Sequence, residues 1–79
     1  MKPDHFIVKL TYDPDADVWY VEESNVIGLI GEAKSFEELL RKLPALISDM
    51  VAENYTDRSF LNLPVEVIGS TSIRISEAA

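Results

Sequence analysis

The sequence predicts an α+β domain with the element order β-β-β-α-β. Three observations carry that reading. Apolar residues alternate from Phe6 to Tyr12, they recur at three- and four-residue spacing from Phe36 to Val51, and a β-rich run opens at Pro64. The 79 residues make a single domain, residues 1–79. At this size only about 60% of the unfolded chain's surface is buried on folding. The core is therefore thin, and a second copy or a partner is a natural source of further burial.

The first strand follows from Phe6, Val8, Leu10 and Tyr12 alternating with Ile7, Lys9 and Thr11, the period of a strand with one buried face. Asp13-Pro14-Asp15-Ala16-Asp17 is a cluster of turn formers, in which Pro14 presets its backbone angle and the aspartates can bond nearby amides. Val18-Trp19-Tyr20-Val21 resumes β-branched and aromatic residues, so the two runs read as a hairpin. Leu29 to Ala33 is a weaker third strand, in which Gly31 marks a bulge or a close backbone approach.

Ser35 followed by Glu38 fits a capping box that opens a helix. Glu37 and Glu38 suit the positive end of its dipole. Phe36, Leu39, Leu40, Leu43, Ile47, Met50 and Val51 then form one apolar face, with Glu37–Arg41 and Glu38–Lys42 as i, i+4 pairs on the wet side. Pro44 lies inside this run, where it removes a backbone hydrogen bond and crowds the Leu40 carbonyl. The continuing apolar register predicts one bent helix, with two helices as the alternative. A link from Asn54 to Leu63 brings Phe60, Leu61 and Leu63 under the helix, and Pro64 to Ile68 is the last strand. Gly69-Ser70 is either a bulge in a longer strand or a turn into Ser72 to Ile75.

Fourteen Asp and Glu against seven Lys and Arg give a net charge of −7. That balance repels a phosphate backbone and argues against direct nucleic-acid binding; it suits a basic partner, although a negative surface that simply keeps a small domain in solution explains the acidity alone more readily. The chain has no cysteine, which removes disulfides and Cys-based zinc or redox sites. No stretch approaches membrane-spanning length, so a cytoplasmic protein without a membrane partner is expected.

Asp13, Asp15 and Asp17 have the opening spacing of a calcium loop, but Val18 stands where that loop needs glycine and Ser24 where it needs its bidentate glutamate. His5 is the sole histidine and has no nucleophile in a recognisable motif beside it. Glu37 and Glu38 are explained by helix capping, and Glu22 and Glu23 by a strand end. The expectation is a non-enzymatic protein with no cofactor and no metal. A single helix covers one face of a sheet, yet the second strand offers apolar or aromatic groups to both, Trp19 with Val21 and Val18 with Tyr20. An uncovered face of this kind marks an interface, with self-association the simplest case.

The opening strand, Asp13-Pro14, Val18-Trp19, Gly28-Leu29, Glu32-Ala33, Ser35-Phe36-Glu37-Glu38-Leu39-Leu40 and Leu63-Pro64-Val65-Glu66 together resemble the HicB-like proteins over residues 6 to 68. The chain is most similar to the short stand-alone group described as a domain of unknown function. The resemblance implies a partial RNase H-like fold without that fold's catalytic carboxylates. It also implies an antitoxin-like role, in which full HicB proteins mask a small basic ribonuclease toxin and repress their operon through a separate C-terminal domain. This chain ends at Ala79 without that domain, so toxin neutralisation is the inherited expectation and autoregulation is not. Many relatives carry Pro-Gly where this chain has Ile27-Gly28. The expected partners are a second copy, as a homodimer or higher oligomer, and a small basic protein. The alternative is a stand-alone homo-oligomer with a structural or ligand-sensing role. Trp19, Tyr20, Asp13, Asp15 and Asp17 are the candidate contact residues, because aromatic anchors and charge complementarity dominate such interfaces.

Overall fold

The computed structural model describes residues 4–75, apart from the Arg58 side chain. Strands β1 (Phe6–Asp13), β2 (Val18–Ser24) and β3 (Glu32–Ala33) precede helix α1 (Phe36–Asn54). A 3-10 turn at Arg58–Asn62 and strand β4 (Val65–Ser70) follow. The sheet order is β3-β2-β1-β4, with β1 antiparallel to β2 and parallel to β4. This is the expected α+β arrangement, a three-stranded meander plus a fourth strand with one helix on one face.

Strand β1 is central because both of its edges are paired, and its Phe6, Val8 and Leu10 are fully buried. Leu39, Leu43, Ile47 and Val51 come down on them from α1, spaced so that each lies one turn from the last. The capping box closes as the sequence predicts. Ser35 Oγ accepts from the Glu38 N–H at 3.1 Å, and Glu38 Oε2 reaches back to the Lys34 N–H at 3.3 Å. Glu38 is thereby committed to the cap, and Lys42 donates instead to the Glu32 carbonyl at 3.3 Å, whereas Glu37 and Arg41 do pair at 3.4 Å. Pro44 sits within a single continuous helix rather than between two.

The link after α1 is organised by aromatic rings. Phe60 is buried, stacked on Tyr55 with centroids 4.5 Å apart and on Phe6 at 6.2 Å. Two strand boundaries differ from expectation. Strand β3 is only Glu32–Ala33, although the Gly31 carbonyl still accepts from the Val21 N–H at 3.0 Å; at Gly31 the backbone passes so close to α1 that an added Cβ would lie 2.9 Å from Leu46 Cδ1. Strand β4 runs on through Gly69 and Ser70 with neither bulge nor turn, and residues 71–75 form no strand.

Between β2 and β3 the Leu29 N–H donates to the Val26 carbonyl at 3.2 Å, and Gly28 has φ +78°. That is a type II turn with Ile27 at its second position and glycine where φ must be positive. The same geometry accommodates proline at position 27, which explains how Pro-Gly and Ile-Gly serve alike. Ile27→Pro is expected to raise stability by about 0.5 kcal/mol through the unfolded chain, and Gly28→Ala to lower it by about 1–2 kcal/mol, both measurable by urea titration.

Candidate functional site

The pairing registers sort the side chains onto two faces. Tyr12 opposite Trp19, Leu10 opposite Val21 and Trp19 opposite Ala33 put those residues under α1. Ile7 opposite Glu66, Lys9 opposite Ile68, Thr11 opposite Tyr20 and Tyr20 opposite Glu32 put the other set on the far side. Among the described residues no helix or strand crosses that far side. Ile7 and Ile68 are 37% and 43% exposed there, beside the half-buried Tyr20 and Val18.

Charge on this open face is mostly negative. Lys9 pairs with Glu22 at 3.1 Å, where a register shift between Lys9 and Leu10 lets β2 carry an extra residue. The Lys9 ammonium holds the Glu22 carboxyl below its ordinary value. Glu66 lies 3.6 Å from His5 Nε2, while Glu23 and Glu32 are exposed around the margin. The face thus carries Ile7, Ile68 and Tyr20 around the Glu22-paired Lys9 and Thr11 of β1, with carboxylates at its margin.

The five residues singled out by the sequence take three different places. Asp13 Oδ1 accepts from the backbone N–H of Asp15 at 3.0 Å and of Ala16 at 3.4 Å, which builds the hairpin turn. Asp17 adopts φ +55° and accepts the Tyr12 hydroxyl at 2.6 Å. That bond holds the Tyr12 phenol above its usual value. Asp15 is exposed at the tip of the same turn. Trp19 lies on the helix side, edge-on to Phe36 with centroids 5.1 Å apart and tilted against Tyr12 at 5.7 Å. Tyr20, its neighbour in sequence, is the aromatic ring of the open face.

Ile7, Ile68, Glu23 and Glu66 were not among the contact residues expected from the sequence. The parity of Ile7 was visible against buried Phe6 and Val8, but its meeting with β4 depends on a parallel pairing that no local pattern announces. Among the described residues no group of three or more His, Asp or Glu could hold a metal ion, and no helix is long and apolar enough to cross a membrane.

A family described as a domain of unknown function, DUF1902, matches residues 5–77. The chain belongs to the DUF1902 family. Among solved structures, this DUF1902 chain is similar to a hypothetical protein from the extremely thermophilic bacterium Thermus thermophilus. The two share 33% identity and superpose with a TM-score of 0.61, over 89% of this chain and 97% of the other. No curated protein matches. The family description and the thermophile structure assign no activity to this DUF1902 domain.

Proposed function

We propose that the chain is a non-enzymatic protein-binding module that docks a small basic protein on the open face of its sheet, in the manner of an antitoxin masking a toxin. The observation that carries this reading is the composition of that face, with Ile7, Ile68 and Tyr20 exposed or half-buried inside a rim of Glu23, Glu32 and Glu66. Apolar and aromatic groups among carboxylates, with Lys9 held by Glu22, suit arginine-rich surfaces, because guanidinium groups bind carboxylates in pairs of hydrogen bonds and stack on aromatic rings. Asp15, exposed at the hairpin tip, extends the negative field toward an approaching partner. The resemblance to HicB-like antitoxins supports the same role, and a reducing cytoplasm suits a chain without cysteine.

The test is a tagged pull-down from native cells at low salt, repeated with Tyr20→Ala and Glu23→Lys variants whose folding is checked by circular dichroism. The expected result is a small basic protein released by rising salt, retained about tenfold less by Tyr20→Ala and less again by Glu23→Lys. Recovery of the bait alone, or a retained protein indifferent to both substitutions, would favour a self-sufficient oligomer with a structural or ligand-sensing role.

A further inference from the structure

The outer edge of β4 and the segment that follows it fit one another across two copies of the chain. The sheet ends at β4, so among the described residues that strand's outer edge has no neighbour. Beside it, between β4 and α1, lies an apolar groove of about 280 Å³ whose walls include Val65, Val67, Leu40, Pro44 and Leu61. Residues 71–75 leave the end of β4 with Ile73 82% exposed and Ile75 86% exposed. An open strand edge, an empty apolar groove and two isoleucines in solvent are each costly to leave unpartnered in so small a domain.

We propose that two copies pair antiparallel through β4 and residues 71–75, about a two-fold axis at Ser70. In that register Ile75 stands opposite the partner's Val65, Arg74 opposite the partner's Glu66 and Ile73 opposite the partner's Val67. Residues facing one another across a ladder share a face of the sheet. Val65 and Val67 border the groove, so Ile73 and Ile75 are delivered to the groove side. Arg74 is delivered to the open side, against a carboxylate. The symmetry repeats every pair, which gives four isoleucines over two grooves and two Arg74–Glu66 contacts.

The same chain cannot make this register with itself. Strand β4 stays paired to β1 through Ser70, opposite Thr11. Bringing Arg74 back to its own Glu66 would need a loop spent on residues that are already in the strand. A tight two-residue hairpin at Ser70 and Thr71 would instead set Arg74 opposite Val67 and turn both isoleucines to the open side, away from the groove. A three-residue turn at 70–72 would keep both isoleucines on the groove side but set Arg74 opposite Ile68, so only the second copy sets Arg74 directly opposite Glu66 while delivering the isoleucines to the groove. The resulting sheet runs continuously through both copies and leaves Ile7, Tyr20 and Glu23 of each open face uncovered, so this interface shares only Glu66, at the β4 edge, with the one proposed for a basic partner.

The absence of native cysteine allows a direct test. Antiparallel partners have Cα atoms about 4.5–5.5 Å apart, within disulfide range. Ser70→Cys is expected to form a disulfide-linked dimer under mild oxidation, whereas a cysteine placed at Lys34 is not. In sedimentation equilibrium the wild-type chain is expected as a dimer, weakened at least about a hundredfold by Ile73→Asp with Ile75→Asp. Glu66→Arg and Arg74→Glu are each expected to weaken the dimer, and together to restore it. A wild-type chain that is monomeric at millimolar concentration, or a dimer untouched by the Ile73 and Ile75 changes and not linked through position 70, would overturn the proposal.

Discussion

Leu39→Ala is expected to cost about 2–5 kcal/mol, a large share of this domain's stability. Leu39 is fully buried at the first turn of α1, packed with Phe6, Val8 and Leu10 of the central strand and close to Gly31 where the chain approaches the helix. A cavity there has few ways to collapse, because the capping box fixes the start of α1 and β1 is held on both edges. A domain of 79 residues has only roughly 4–12 kcal/mol of stability in total. The variant should therefore unfold at least about 10 °C earlier in a thermal scan. A loss below about 1 kcal/mol would mean that the helix is free to settle onto the sheet.

Gly69→Ala is the second large effect, and its sign is a contest between two terms. Alanine in a strand gains roughly 0.5–1 kcal/mol over glycine by restricting the unfolded chain. Against that, the new Cβ would lie 2.7 Å from Phe36 Cε1 and 3.2 Å from Cζ. The Phe36 ring cannot simply swing aside, since Trp19 stands edge-on to it with centroids 5.1 Å apart. Overpacking should win, with a net loss of about 1–3 kcal/mol in urea titrations. Phe36→Leu in the same background should recover part of it, because a smaller side chain leaves room for the Cβ. A Gly69→Ala protein more stable than wild type would show that the ring is not wedged.

The sequence was most legible where one short motif decides local geometry. Ser35 with Glu38 located the helix start, and the apolar spacing to Val51 named seven residues, of which Leu39, Leu43, Ile47 and Val51 are buried while Leu40 stands exposed at the edge of the stripe. Asp13 and Asp17 were recognisable as turn residues from their type and place. It was least legible where a side chain's neighbour comes from far along the chain. Gly69 carried a true signal, a missing side chain in a strand, but whether it meant a bulge, a turn or an approaching ring depended on where Phe36 lay. Trp19 and Tyr20 are adjacent, and the alternation shows that they face opposite ways. Which of them meets the helix follows only from the pairing of β2 with β1 and β3. The open face was foreseen as a consequence of having one helix, whereas its outline in Ile7, Ile68 and Glu66 waited on the parallel pairing of β1 with β4.

That parallel pairing also orders events in time. Phe6 is paired with Val65, so the central strand gains its second neighbour only from the last strand of the fold. During synthesis, β1, the hairpin and α1 emerge from the ribosome while one edge of β1 is still bare, and closing that edge spans most of the chain. A polypeptide interrupted anywhere before Val65 would therefore carry an exposed, strongly apolar strand edge, prone to proteolysis or to pairing with other unfinished chains. Completion of the fold is in effect a length check, passed only when the C-terminal strand has been made.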